Sequence, residues 1–146
     1  MNPKDILEKY YHFAVVGVTP NQEKYGYKIF KRLLEKGYQT YGVSPIYQNI
    51  DDIPTYPNLE AIDHPIDVVV FVVSPKYAYD YVDEMSGIGI RYAWMQPGTY
   101  DDQLLQYMQD QGITCSCLYF SGNRINQPIK ADFLCSILYH LMILII

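Results

Sequence analysis

The sequence predicts a single α/β domain of three layers, in which helices cover both faces of a mainly parallel five-stranded sheet. Apolar runs of strand length alternate with amphipathic segments of helix length along most of the chain. One of these runs, Asp67 to Val73, is apolar on both faces, which is typical of an interior parallel strand. A content of 49% hydrophobic and 18% charged residues over 146 positions is typical of one globular domain.

The strands and helices are predicted to alternate. After a short leading helix from Asn2 and Pro3, five strands are expected near Phe13 to Val18, Tyr38 to Val43, Asp67 to Val73, Arg91 to Gln96 and Ile113 to Phe120. Helices are expected from about Tyr25 to Lys36, from the N-cap Ser74 and Pro75 onward, and before Gly112. Such alternation forms βαβ units and a parallel sheet.

Two local features complete this prediction. Thr99 is followed three residues later by Asp102, a variant of the capping box, which predicts Thr99 as the N-cap of the last of these helices. Residues 46–65 contain three prolines and are predicted to form a long connection with one helical turn at Leu59 to Ile62. Trp94 is expected in the core of the fourth strand.

Charge and cysteine content argue against several classes of protein. The net charge is −5 without long acidic or basic runs, which argues against a nucleic-acid-binding protein because such a protein needs a basic face. Three cysteines, Cys115, Cys117 and Cys135, are too few and too unevenly spaced for a disulfide framework. The first residues lack the basic start and apolar core of a secretory signal. These features predict a cytoplasmic protein.

The end of the sequence is unusually apolar. Its last fourteen residues, FLCSILYHLMILII, contain no acidic or basic side chain, but they are too few to span a bilayer, which takes about twenty. One helical stripe contains Leu134, Ile137, Leu138, Leu141 and Ile145. Residues 130–146 are therefore predicted to form an apolar C-terminal helix packed on the domain of residues 1–146. A contact between copies of the chain, giving a homo-oligomer, and an altered chain end are the alternatives.

The exit of the first strand, GVTPNQEKYG, is a candidate ligand site. Ligands of open α/β sheets bind at the carboxyl ends of the strands. Gly17 permits a close backbone approach, and the start of the next helix offers N–H groups to an anion, so the loop suits a phosphate-bearing ligand. An ordinary βα loop is the equally good alternative, since a glycine at a strand end is common. The pattern is not G-x-G-x-x-G, and the second strand ends in Val43, Ser44 and Pro45, without an acid for the ribose of NAD or an arginine for NADP. A conventional dinucleotide site is thus disfavoured.

The sequence blocks resemble those of a known family. AVVGVTPNQEKYGYKIFKRLLEKGYQTYGVSP, YPNLEAI, IDVVVFVVSP, YAWMQPG and GITCSCLYF are similar, in order and spacing, to the motifs of the small bacterial CoA-binding domain family. That family is similar to the CoA-binding domain of the succinyl-CoA synthetase α subunit. The resemblance covers about Phe13 to Phe120 and implies a Rossmann-like domain with CoA or an acyl-CoA, a small nucleotide ligand, at the strand exits.

The resemblance also implies which residues contact CoA. The first exit would hold the phosphates, the second would line the adenosine end, the third would flank the nucleotide, and the fourth would lie near it. In that order the residues are Gly17, Val18, Thr19, Pro20, Lys24, Tyr25 and Gly26; Val43, Ser44 and Pro45; Val73, Ser74 and Pro75; and Gln96, Pro97 and Gly98.

Two positions depart from the family pattern. The second-strand block of the family usually reads asparagine-proline-lysine, whereas this chain has Ser44, Pro45 and Ile46. A cation that would pair with a CoA phosphate is thereby missing, and Lys24 or Lys28 would have to compensate. The glycine that usually precedes the YP block is also absent, and Asp52 lies near its place.

No residue pattern predicts catalysis or a metal site. His12, His64 and His140 fall outside the blocks in which catalytic groups are expected. Cys115 and Cys117 form a C-x-C pair without a second pair or a nearby histidine, so they are interpreted as small apolar residues on one face of a strand. The sequence therefore favours a module that binds CoA or an acyl-CoA without evident catalytic residues. The alternative is an NAD(P)-binding enzyme or enzyme subunit.

Overall fold

The computed structural model describes residues 3–117 and Ile146. Its helices are α1 (Pro3–Lys9), α2 (Tyr25–Glu35), α3 (Pro75–Ile88) and α4 (Asp102–Asp110). Its strands are β1 (His12–Val16), β2 (Gln39–Val43), β3 (Asn49–Ile50), β4 (Ile53–Pro54), β5 (Val68–Phe71), β6 (Tyr92–Met95) and β7 (Thr114–Cys117). The predicted alternation of strands and helices is confirmed.

Five strands form one parallel sheet in the order β2-β1-β5-β6-β7. Val15 of β1 pairs with Gly42 on one side and with Val70 on the other, and Val70 pairs in turn with Trp94 of β6. All four residues of β5 are buried, so the prediction of an interior strand at this position is confirmed. After β1 the chain continues to β2 at one edge of the sheet and then crosses back to β5, which pairs with the other side of β1. The strand order therefore reverses between β1 and β5.

Alternating side chains of the strands divide the core between the two faces of the sheet. On one face, α1 and α2 cover Phe13, Val15, Val68, Val70 and Trp94 with Ile6, Ile29, Phe30 and Leu33. On the other face, α3 and α4 cover Ala14, Val16, Val69, Phe71 and Met95 with Ala78, Val82, Met85, Leu104 and Met108. The three-layer Rossmann-like α/β fold is thereby confirmed, and Trp94 lies in the core as expected.

The N-cap of α4 differs from the prediction. Thr99 is not the cap, because its hydroxyl donates a 2.6 Å hydrogen bond to the Gln96 carbonyl oxygen in the turn after β6. The N-cap is Asp101, two residues later, whose carboxylate accepts a 2.8 Å hydrogen bond from the Leu104 N–H, and the helix begins at Asp102. The predicted capping box at Thr99 and Asp102 is therefore wrong.

The connection between β2 and β5 contains a small antiparallel hairpin that the sequence did not indicate. Its strands β3 and β4 are joined at Asp51 and Asp52, whose φ angles are +48° and +63°. Aspartate tolerates this left-handed conformation better than most residues, and Asp52 lies near the place of the glycine usual in the family. The predicted turn at Leu59 to Ile62 is present, with a 3.1 Å backbone hydrogen bond between these two residues.

Several predictions fall at the end of the chain. The C-terminal helix predicted for residues 130–146 and the fifth strand beyond Cys117 lie outside the described residues, except for Ile146. Ile146 is buried in the same apolar cluster as Ile6 and Trp94. Among residues 3–117, no helix combines the length and the apolar character needed to cross a membrane.

Candidate functional site

A cleft of about 790 Å³ opens at the carboxyl ends of β1, β2 and β5. This is the place where the strand order reverses, which is where open α/β sheets bind their ligands. The described residues that line the cleft come from the three strand exits, the start of α2 and one side of α3. They are Gly17, Val18, Thr19, Lys24, Tyr25, Gly26, Ser44, Pro45, Ile46, Tyr47, Pro57, Val72, Val73, Ser74, Tyr77, Asp80, Tyr81 and Glu84.

Gly17 turns the chain out of β1 at the base of the cleft. Its φ angle is +96°, and its N–H donates a 3.0 Å hydrogen bond to the Val43 carbonyl oxygen at the end of β2. A Cβ atom at this position would lie 2.5 Å from the Val72 carbonyl oxygen. Because both the backbone conformation and the space exclude a side chain, this turn requires glycine.

The amino end of α2 presents a positive potential to the cleft. Lys24 is the N-cap, and the first turn contains no acidic residue. The N–H groups of Tyr27 and Lys28 both donate to the Lys24 carbonyl oxygen at 3.2 Å, whereas the Gly26 N–H has no acceptor among the described residues. The helix dipole, this N–H group and the Lys24 ammonium group together favour an anion here.

The amino end of α3 lies on the same cleft. Ser74 is its N-cap and Pro75 its first residue, as predicted from the sequence. The Ser74 side chain accepts no hydrogen bond from the helix, and the first turn contains no acidic residue. A second helix terminus with positive polarity therefore borders the cleft.

The exit of β2 forms an uncharged wall. Ser44 is buried, and its hydroxyl oxygen accepts hydrogen bonds from the N–H groups of Ile46 at 3.1 Å and Tyr47 at 3.2 Å. These bonds fix a tight turn that leaves Ile46 76% exposed beside the cleft. A side chain without charge thus stands at the second strand exit.

One side of α3 contributes residues that sequence reasoning missed. Tyr77, Asp80, Tyr81 and Glu84 occupy positions i, i+3, i+4 and i+7 of α3, so they lie on one helical face. The Glu84 carboxylate accepts a 3.1 Å hydrogen bond from the Glu60 N–H. Burial, followed by the nearby Glu84 and Asp80 carboxylates, raises the pKa of Tyr81. The helical spacing of these residues is visible in the sequence, but it does not show which face of α3 borders the cleft.

Comparison with known proteins assigns the family. The family model described as CoA binding domain matches residues 11–123. The chain belongs to the CoA binding domain family. YneT of Bacillus subtilis (strain 168), an uncharacterized protein, is 23% identical over 111 residues, which are 76% of this chain and 82% of YneT.

Two further relatives extend the comparison. An ADP-forming acetate–CoA ligase of Archaeoglobus fulgidus is 34% identical over 71 residues, which are 49% of this chain and only 10% of the ligase. The solved structure of a conserved hypothetical protein from Pyrococcus furiosus is 31% identical with a TM-score of 0.71, and the match covers 75% of this chain and 95% of that one. Nearly the whole of that protein therefore shares the fold of this chain.

The structure brings together most, but not all, of the residues that the family resemblance predicted. Those on the cleft are Gly17, Val18, Thr19, Lys24, Tyr25, Gly26, Ser44, Pro45, Val73 and Ser74. Those that do not line it are Pro20, Val43, Pro75, Gln96, Pro97 and Gly98.

Gln96 ends β6 next to the cleft. Its N–H donates to the Phe71 carbonyl oxygen at 3.4 Å, one residue before Val72 on the cleft wall. Its side-chain amide is fully buried and has no hydrogen-bond partner among the described residues. The fourth exit thus adjoins the cleft without forming part of its described lining.

The histidines within the described residues have contacts away from the cleft. His12 begins β1, at the opposite end of the sheet, and its Nδ1 lies 3.1 Å from a carboxylate oxygen of Asp67. The His64 ring stacks on Tyr41 with a centroid distance of 5.1 Å. Residues 3–117 contain no group of three acidic, histidine or cysteine side chains arranged to hold a metal ion. His140 lies outside the described residues.

Proposed function

We propose that this chain binds CoA or an acyl-CoA in the cleft at the ends of β1, β2 and β5. The observation that carries the proposal is that, in a chain of the CoA binding domain family, the amino ends of α2 and α3 both border one cleft. Helix amino ends bind phosphate groups through N–H groups and the helix dipole. A diphosphate is the part of CoA that this arrangement suits best.

The diphosphate would lie between Gly17 and the start of α2. The Gly17 turn allows the backbone to approach a ligand, and the Gly26 N–H is available as a donor. Lys24 supplies the charge that pairs with a phosphate oxygen. Val18 and Thr19 would complete the phosphate loop, with Pro20 and Tyr25 flanking it.

The remaining parts of CoA would use the other exits. Ser44 and Pro45, with Val43 behind them, would line the adenosine end. Val73, Ser74 and Pro75 would flank the nucleotide, and Gln96, Pro97 and Gly98 would lie beside it.

We assign no catalytic residue, so the proposed role is a binding module. The acetate–CoA ligase of Archaeoglobus fulgidus carries a related segment in an enzyme that, by its name, acts with CoA. Since the match covers 10% of that enzyme, its reaction is not carried over to this chain.

Thermal unfolding with and without ligand tests the proposal. If CoA binds only the folded state, a concentration of about a hundred times Kd stabilises the protein by about 2.7 kcal/mol. In a domain of this size that raises Tm by several degrees, on the order of 2–4 °C for each kcal/mol. Acetyl-CoA, measured in parallel, should give a comparable rise.

Two charge reversals on one helix provide matched variants. Lys24→Glu places a negative charge at the phosphate site and should abolish most of the rise in Tm caused by CoA. Lys36→Glu changes the net charge equally at the other end of α2, where Lys36 is an exposed C-cap, and should leave the rise unchanged. Equal loss in both variants would indicate a general charge effect and contradict the proposed phosphate site.

NAD tests the alternative ligand. The wall at the second strand exit contains Ser44, Pro45 and Ile46 and so lacks the acid that usually binds the ribose of NAD. NAD should therefore raise Tm less than CoA. A larger rise with NAD would overturn the assignment of CoA and favour the NAD(P)-binding alternative.

A further inference from the structure

The charge around the cleft does not suit every phosphate of CoA. Lys24 is the one cation among the described residues that line the cleft, whereas Asp80 and Glu84 are carboxylates. CoA carries a diphosphate and, in addition, a 3′-phosphomonoester on its ribose. A phosphomonoester has a charge of about −1.5 to −2 at pH 7. The amino end of α2 with Lys24 accounts for the diphosphate, and no second cation is left on the described lining.

The position of the ribose follows from the fold. When the diphosphate lies at the helix that follows the first strand, the ribose of a bound nucleotide lies at the exit of the second strand. In this chain that exit is the turn from Ser44 to Tyr47. In the proposed binding mode the 3′ position of the ribose would lie at this turn, beside the exposed side chain of Ile46.

Two other lysines of α2, Lys28 and Lys31, each have a contact within the protein. Lys31 Nζ lies 3.3 Å from a carboxylate oxygen of Asp51 in the turn between β3 and β4. Lys28 Nζ lies 5.3 Å from the centroid of the Tyr25 ring. Neither belongs to the described lining of the cleft. A phosphomonoester at this place would stay in water and gain no charged partner.

We propose that the cleft does not recognise the 3′-phosphate, so that dephospho-CoA binds as tightly as CoA, and that Ile46 is the residue that sets this tolerance. The inference rests on the proposed function and specifies its ligand class as CoA-type nucleotides with or without the 3′-phosphate. Its physical basis is that an exposed apolar side chain offers neither a charge nor a donor to a phosphate.

Calorimetric titration of the full chain with CoA and with dephospho-CoA tests the inference. In the unaltered protein the two Kd values should agree within about threefold. The reason is that the 3′-phosphate of CoA would be in contact with water both before and after binding, so it would add little to the binding free energy. Ile46→Lys should tighten CoA binding about three- to fivefold, the upper part of the range for an exposed ion pair, and should leave the Kd of dephospho-CoA within about twofold. The exposure of Ile46 allows this substitution without disturbing the core.

Ile46→Gln is the matched neutral control. It has a long polar side chain without charge, so it should leave the ratio of the two Kd values unchanged. The increase in CoA affinity caused by Ile46→Lys should also become smaller with added salt, because salt screens exposed charges.

The possible failures are distinguishable. A preference of the unaltered protein for CoA of more than about tenfold would overturn the inference while leaving CoA binding intact. If the Lys28→Ala variant lost this preference for CoA, Lys28 would be identified as the cation that binds the 3′-phosphate. Binding of neither nucleotide would overturn both the inference and the proposed function.

Discussion

Gly26 packs directly on the turn made by Gly17: a Cβ atom on Gly26 would lie 2.2 Å from the Gly17 carbonyl oxygen. Since the obstacle is backbone rather than a flexible side chain, it cannot move without shifting the exit of β1. The start of α2 and the end of β1 are therefore joined by two glycines in van der Waals contact. This contact holds the amino end of the helix against the base of the cleft.

The first prediction is that Gly26→Ala destabilises the protein. In most helices glycine to alanine stabilises by about 0.5–1 kcal/mol, but the contact with Gly17 should reverse the sign and cost about 1–3 kcal/mol. Gly87 of α3 is the control, because a Cβ atom there has nothing within 4 Å. Gly87→Ala should stabilise. Urea unfolding of both variants decides the matter, and a stabilised Gly26→Ala protein would mean that the two segments are not packed as described.

The second prediction concerns the cap of α4. Asp101→Ala removes the acceptor of the Leu104 N–H and should cost about 0.5–2 kcal/mol. Asp102→Ala removes a carboxylate of the same first turn that is not the cap, so its effect should stay near the 0.3–1 kcal/mol typical of a charge beside the helix dipole. Thr99→Val tests a separate role, since the Thr99 hydroxyl bonds to Gln96 and not to the helix. Equal costs for Asp101 and Asp102 would argue against Asp101 as the cap.

These residues illustrate how far the sequence predicted the fold. The two-faced apolar run around β5 identified an interior parallel strand, because burial on both sides leaves no polar position. Thr99 and Asp101 are both good cap residues two positions apart, and only the turn after β6, which uses the Thr99 hydroxyl, decides between them. Strands of two residues, such as β3 and β4, are too short to show a periodicity.

The candidate site was likewise predicted from the sequence only in part. The exits of β1, β2 and β5 were predicted to be close together because parallel strands end at one edge of the sheet. The contribution of Asp80 and Glu84 was not predicted, since it depends on how α3 is rotated over the sheet. That rotation is set by the packing of Ala78, Val82 and Met85 on the strands, a long-range arrangement that local pattern does not specify.

The third prediction is a pH dependence of stability at the amino end of the sheet. One carboxylate oxygen of Asp67 accepts hydrogen bonds from the N–H groups of Tyr11 at 3.2 Å and His12 at 3.0 Å, and lies 3.1 Å from His12 Nδ1. Partial burial alone would raise the pKa of Asp67, but these bonds outweigh it and lower the pKa. A lowered pKa in the folded state means that the stabilisation is present above the unfolded value of about 3.9 and is lost as the pH falls through the folded value.

Asp67→Asn should therefore cost about 1–2 kcal/mol at neutral pH, since the amide accepts these bonds more weakly, and the difference should shrink in acid. Asp63→Asn is the control, because the Asp63 side chain is 82% exposed and pairs only with His64 among the described residues. Urea unfolding at several pH values measures both. A difference for Asp67 that is constant down to about pH 3 would exclude the ionised carboxylate as its source.

The last prediction concerns the reactivity of Cys115. Its thiol packs beside Met108, with 3.5 Å between the two sulfur atoms, and burial raises its pKa to about 11. Because only the thiolate reacts with alkylating reagents, Cys115 in the folded protein should react on the order of a hundredfold more slowly at pH 8 than in the denatured chain. Iodoacetamide labelling followed by peptide mass spectrometry measures this at Cys115 separately from Cys117 and Cys135, with the chain in guanidinium chloride as the control. A slow reaction supports the interpretation of Cys115 as a small apolar residue of the core. Labelling as fast as in the denatured chain would instead show an accessible, ionised thiol and would contradict the packing of Cys115 against Met108.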